Sequence, residues 1–190
     1  FEHLMKVHKV DQYRATATSA MRDAANGPAI VEGVKARTGI NIEIITGDEE
    51  AKIIRSTHVQ ERLSASHDFL YVDVGGGSTE ISLFVKGEMH ASRSFNIGTI
   101  RLLKDQVNEG KWDDMHDWLK EITKNHHGLE IIGSGGNINK IYKILNKQDW
   151  QAIKYDELKE VVDELTDMTY EQRIMVYRLH PDRADVIVHA

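Results

Sequence analysis

The amino-acid sequence predicts an α/β fold, a mixed sheet flanked by helices. Three observations carry that expectation. Strand-like and helix-like periodicities alternate along the chain, glycine is concentrated at the ends of apolar strand-like runs, and two such runs are joined by a hairpin turn. Hydrophobic residues make up 41% and charged residues 28% of the 190 residues, which is a globular composition rather than a disordered one.

Taken in order, residues 13–17 read as a short strand, followed by Ser19 as the N-cap of a helix to about Ala25. Asn26-Gly27-Pro28 is a turn that sets proline at the first helical position, so residues 28–38 form a second helix ended by Gly39. Residues 41–45 alternate polar and apolar as a strand. Thr46, with Glu49 three residues on, is a capping-box signature for a helix to about Leu63. Residues 69–74 form a strongly apolar strand entering Gly75-Gly76-Gly77. Residues 80–85 alternate again, Lys86-Gly87-Glu88 turns, and residues 89–95 pair back as a hairpin. Helical spacing relates Met115, Trp118, Leu119 and Ile122, then Ile138, Ile141, Tyr142 and Leu145, then Leu158, Val161, Val162 and Leu165. Between the first two sets, residues 129–132 are a short strand feeding a second glycine cluster. Trp112 and Trp118 are expected in the core rather than as ligand platforms.

Composition narrows the function classes. Twenty-four basic against 30 acidic side chains give a formal charge of −6, which speaks against phosphate-driven nucleic-acid binding. Cysteine is absent, which removes disulfides, thiolate metal sites and cysteine nucleophiles, and suits a reducing cytoplasm. No apolar run approaches the roughly 18 residues of a membrane span, so no membrane partner is expected.

Asp73-Val74-Gly75-Gly76-Gly77-Ser78-Thr79-Glu80 is the most informative stretch. Backbone amides in such a turn make a concave anion site that no Cβ obstructs, with Ser78 and Thr79 adding hydroxyl donors. Asp73 and Glu80 at its rims are candidates to hold Mg²⁺ or a water. The plain alternative is a tight glycine hairpin with incidental acids. No lysine follows the glycines, so this is not a Walker loop, and Ser78 lacks the partners of a hydrolase elbow. Gly133, Ser134, Gly135 and Gly136 repeat the logic, with a short strand, a glycine turn and a helix whose first amides point outward; a turn needing glycine for packing is the alternative. Glu49 and Glu50 either complement a helix dipole or supply a general base. Arg22, read as lying in the first turn of a helix where a cation opposes the dipole, is either a phosphate contact or a surface arginine. The ten histidines show no ligand spacing.

Residues 15–24, 42–51, 73–80, 132–136 and 182–188 stand in the order of the motifs of the Ppx/GppA phosphatase family, which they resemble over nearly the whole chain. The family comprises exopolyphosphatases and guanosine pentaphosphate phosphohydrolases. The resemblance implies a two-lobed actin/hexokinase-like ATPase fold and Mg²⁺-assisted hydrolysis of a terminal phosphoanhydride. It makes Glu50 the catalytic base and Asp73 and Glu80 the metal- and water-organising acids. It makes Gly75, Gly76, Gly77 and Ser78 one phosphate loop, and Arg22 a phosphate contact. The substrate class is inorganic polyphosphate or a polyphosphorylated guanosine nucleotide, and a homodimer is implied by resemblance alone. The family's first phosphate loop does not precede Tyr13, and the chain starts at Phe1. The expectation is therefore a fragment: a partial first lobe over residues 1–45 and a second lobe over 46–190, close to inactive alone. Two rival readings stay open: a non-catalytic phosphate or nucleotide sensor on the same scaffold, and a kinase with an adenosine pocket around residues 133–137.

Overall fold

The computed structural model describes residues 1–47, 49–50, 53, 67–148 and 151–189. The chain divides into two compact units, Phe1–Val59 and Gln60–Ala190.

The first unit runs α1 (Glu2–Val7), β1 (Ala15–Ala17), α2 (Ser19–Asp23), α3 (Gly27–Thr38) and β2 (Ile42–Ile44). β1 and β2 pair in parallel with Ala15 opposite Ile42. Parallel strands need a crossover, and α2 and α3 provide it. Pro28 starts α3 and Gly39 ends it in the left-handed region (φ 73°), donating its N–H to Lys35 O, as the sequence predicts. α1 was not expected, and none of its residues is buried. Ser19 is not the cap of α2: Thr18 holds that position, and Ser19 is the first helical residue and is buried. After β2, Thr46 does cap a helical turn. Its Oγ1 accepts from the Glu49 N–H (3.2 Å) and its carbonyl accepts from the Glu50 N–H (3.0 Å). Asp48 and most of the expected continuation to Leu63 lie outside the described residues.

The second unit is built on a four-stranded mixed sheet of β3 (Phe69–Val74), β4 (Thr79–Val85), β5 (Glu88–Phe95) and β6 (Glu130–Ser134) in the order β5-β4-β3-β6. β3–β4 and β4–β5 are antiparallel, and β3–β6 is parallel. Around it lie α4 (Thr99–Leu103), α5 (Glu109–Thr123), α6 (Gly136–Ile144), α7 (Tyr155–Asp167), α8 (Tyr170–Tyr177) and α9 (Pro181–Ala184). Alternation along the strands gives the sheet one apolar face. Leu70, Ile81, Leu83 and Phe95, with Ile97, pack against Met115, Trp118, Leu119 and Ile122 of α5. Trp118 meets Phe95 edge-on at 5.3 Å. Trp112 is 43% exposed and not in the core where it was expected. A second buried cluster joins Ile141 of α6, Val161 and Leu165 of α7, Leu179, Ala184 and Ile187. Among the described residues no helix is long and apolar enough to cross a membrane.

Candidate functional site

The strand register assembles the site. Ser94 on β5 stands opposite Glu80 on β4, Glu80 opposite Asp73 on β3, and Asp73 opposite Ser134 on β6. Directly opposed residues share a face, so four polar side chains form one row across the sheet, on the face away from α5. The row lies where β3 and β6 both end, and ligands of open sheets gather at such carboxyl ends. Glu80 is only 5% exposed, and its Oε1 accepts from Ser78 Oγ (2.6 Å) and Ser94 Oγ (2.8 Å). Burial, and then the charge of Glu80, push the Asp73 carboxyl above the usual carboxylate range. One step behind the row, burial raises the Tyr71 hydroxyl, partly offset by its hydrogen bond with Ser134.

The glycine turn between β3 and β4 is closed by a hydrogen bond from the Gly75 N–H to Ser78 O (2.9 Å). Its carbonyl oxygens are drawn to the start of α4. Gly75 O accepts from the Thr99 N–H (3.0 Å), Gly76 O from the Ile100 N–H (2.9 Å), and Gly77 O from Arg101 Nε (2.6 Å). Among the described residues the Gly76 and Gly77 N–H groups have no acceptor within the chain. The turn is thus a peptide loop with its carbonyls committed and two amides available, the arrangement an oxyanion requires. Gly98 makes this possible: a Cβ there would stand 2.5 Å from Gly76 O and from the Gly77 carbonyl carbon. Gly98 and Arg101 were not found from the sequence. The Gly98-Thr99 step before Ile100 was the available signal, and a five-residue helix is too short for periodicity to expose it.

At the second turn, Gly135 takes φ +109° and lies against Val74 O, with Asp73 Oδ1 beside it. Gly136 opens α6, and the Arg183 guanidinium fills the space where its Cβ would be, 2.3 Å from Nη2. Arg183 Nη1 donates to Oδ1 of Asn137, which is 4% exposed (2.5 Å). Helix amides at Gly136 therefore share their space with a cation.

In the first unit, Arg22 lies in the last turn of the short α2, not in a first turn. A cation there complements the helix dipole, so the expectation built on an opposed dipole is withdrawn. Its Nη1 donates to Ile45 O (2.5 Å), joining α2 to the end of β2. Arg14 holds Glu43 through Nε (2.9 Å) and Nη2 (2.8 Å) and reaches Glu49 Oε1 (2.5 Å). Glu50 follows Glu49 in the Thr46-capped turn, with its Oε2 shielded from solvent.

No group of three or more acidic or histidine side chains that could hold a metal occurs among the described residues. His126 Nδ1 is instead bonded to Asp68 Oδ2 (3.0 Å). The Asp73–Glu80 pair still fits Mg²⁺. That ion keeps several waters and takes one or two carboxylates plus phosphate oxygens, and a cation beside this pair relieves the cost that raises Asp73.

Residues 1–190 match the Ppx/GppA phosphatase family. The chain belongs to that family. Exopolyphosphatase 2 of Mycobacterium tuberculosis is 32% identical over 215 residues, an alignment covering 98% of this chain and 66% of that relative. The chain thus spans just under two thirds of the length of this curated relative. A bifunctional 3-dehydroquinate synthase/phosphatase of Fusobacterium nucleatum is 28% identical over 199 residues, covering 90% of this chain and 29% of that protein. Among solved structures, an exopolyphosphatase from Cytophaga hutchinsonii superposes with a TM-score of 0.81 at 24% identity, covering 98% of this chain and 67% of its own. The type II variant of the Aquifex aeolicus Ppx/GppA phosphatase gives 0.64 at 26%, covering 100% and 68%. The α/β fold expected from the motifs is the fold of this family and of this chain.

Proposed function

We propose that the protein is a phosphoanhydride hydrolase that releases terminal phosphate from inorganic polyphosphate or guanosine pentaphosphate. The observation that carries this reading is the pairing of a carbonyl-committed glycine turn with the Asp73–Glu80 carboxylate pair at the same end of the sheet, in a chain of the Ppx/GppA family.

In this reading the Gly76 and Gly77 amides of the Gly75–Ser78 loop bind oxygens of the reacting phosphate. The α4 start and Arg101 hold the turn's carbonyls away from it. Asp73 and Glu80 would hold Mg²⁺, which when bound would supply charge neutralisation at that phosphate. The Ser78 and Ser94 hydroxyls, both donating to its Oε1, keep Glu80 aimed. Glu50, assigned on the motif of residues 46–51, takes a proton from the attacking water. The water oxygen bonds to phosphorus as the bridging P–O bond breaks, and the leaving oxygen stays with the shortened chain. Electrostatic clamping supplies more of the rate than the base, because phosphoryl transfer has a loose transition state with spread charge. Arg22, on the family motif of residues 15–24 and not on its helix position, and the residues Gly133, Ser134, Gly135 and Gly136 are proposed as further phosphate contacts. A cysteine-free chain suits action in the cytoplasm.

The test is Glu50→Gln in the full-length protein. Loss of a general base costs on the order of 10²–10⁴-fold, so phosphate release should fall by at least about 100-fold while binding of orthophosphate persists. Near-normal release removes Glu50 from the mechanism. Tight binding by the unaltered protein without any release replaces the hydrolase with a sensor.

A further inference from the structure

The second unit contains an open cavity of about 280 Å³, whose lining includes Gly136, Lys140, Lys143, Arg178, His180 and Arg183. Four permanent cations around one cavity, in a chain of net charge −6, reverse the sign of the molecule locally. Among the described residues no carboxylate pairs with Lys140, Lys143 or Arg178. The nearby hydrogen bond between His180 Nδ1 and Asp182 Oδ1 at 3.1 Å joins side chains 88% and 81% exposed.

Each cation is held there against a cost. Lys140 and Lys143 are three residues apart on α6, the spacing at which like charges on a helix repel. Arg183 lies over Gly136 at the start of α6, where the helix dipole disfavours a cation. Arg178 caps α8 in the left-handed region (φ 50°, ψ 45°), a conformation glycine adopts without strain. One anion in the cavity relieves the two electrostatic costs together and gives the strained arginine a partner.

We propose that this cavity is a second phosphate-binding site that holds phosphate groups beyond the one being cleaved. Gly136 is part of its lining, and the adjoining Gly135 lies beside Asp73. A condensed phosphate gripped at the glycine turn therefore continues past α6 into the cavity. This orientation rests on the hydrolase reading; the anion site itself does not. Its four cations match phosphate oxygens at several successive groups, which is the chemistry of a linear condensed phosphate. A single free phosphate would use the same donors, and the experiment separates the two sources.

The experiment is titration calorimetry of the full-length protein with tripolyphosphate and, separately, with orthophosphate. Lys140→Gln/Lys143→Gln is compared with the unaltered protein. Loss of two charge-assisted contacts predicts tripolyphosphate binding weaker by at least about tenfold, with a shallower salt dependence. Orthophosphate affinity unchanged within about twofold assigns the cavity to the distal groups of a chain. An equal loss for both ligands assigns it to a single phosphate ion and overturns the chain reading. Unchanged affinity for both overturns the site. Arg178→Gly guards against a folding artefact. Glycine suits the left-handed backbone there, so the variant keeps or gains stability while its tripolyphosphate affinity still falls. A protein that binds tripolyphosphate through these lysines yet releases no phosphate overturns the hydrolase and leaves the cavity assignment standing. Release with lysine-independent binding does the reverse.

Discussion

Replacing Gly98 with alanine places a methyl carbon 2.5 Å from Gly76 O and from the Gly77 carbonyl carbon. Non-bonded carbon contacts settle at about 3.5–4.0 Å, so the glycine turn must retreat by about 1 Å. Both obstructing atoms belong to backbone, and no flexible side-chain end can give way. Retreat strains the hydrogen bonds from Thr99 to Gly75 O (3.0 Å) and from Ile100 to Gly76 O (2.9 Å), which set the direction of the turn's amides. Overpacking of this kind costs about 1–3 kcal/mol of stability, and a 1 Å misplacement in a reacting site costs on the order of 10²-fold in rate. Gly98→Ala should therefore lower kcat for phosphate release by about 100-fold and shift the urea midpoint by an amount equivalent to about 1–3 kcal/mol. Gly33→Ala is the control. Gly33 is exposed within α3 with nothing within 4 Å of its Cβ position, so alanine there should stabilise by about 0.5–1 kcal/mol and leave release unchanged. A Gly98→Ala protein with release within twofold of the parent and an unmoved midpoint refutes the argument that α4 shapes the turn.

Asp73→Asn should be more stable than the parent at pH 7, because the parent's carboxyl titrates higher in the folded chain and its charge costs stability as pH rises above the unfolded value of 3.8. The gain should vanish as pH falls below 3.8, and Mg²⁺ should raise the melting temperature of the parent more than that of the variant. Equal stability of the two proteins at pH 7 removes the cost assigned to burial and Glu80. Asp68 behaves oppositely: hydrogen bonds from His126 and from the Lys86 N–H hold its carboxyl below the usual range. Its contribution is present above the unfolded value of 3.8 and lost as pH falls through the lower folded one. Asp68→Asn should thus lose stability at neutral pH and converge on the parent in acid, read by urea denaturation across pH 2–7. A constant difference across that range contradicts the linkage.

The sheet and its glycine turn were legible because local patterns encode them. Residues 69–74 are apolar apart from Tyr71 and Asp73, and Glu80-Ile81-Ser82-Leu83 alternates, which fixes two faces and sends Glu80 and Ser82 to the polar one. Asp73 opposite Glu80 follows from that hairpin. The parts that escaped notice are short or distant in sequence. The five residues of α4 carry no readable period. Arg183 reaches a glycine and an asparagine 46 to 47 residues earlier, a contact no local pattern announces. The start of α8 was within reach: Thr169 and Gln172 form a reciprocal capping box, visible as Thr-x-x-Gln before an apolar stretch. The Arg22 argument failed because the helix after β1 spans only five residues, so a position counted from its start already belongs to its end.

The parallel pairing of β3 with β6, Val72 beside Gly133 and Asp73 beside Ser134, acts as a ruler that cuts both glycine turns to one length. Inserting a single residue into either strand reverses every side chain beyond it, turning the carboxylate towards the greasy layer and dismantling the anion cradle at a stroke. Extra residues in the connections outside the strands leave that alignment intact. Tolerance to length change in this protein is therefore sharply divided, forgiving in the connections away from the two glycine turns and absolute within ten central residues.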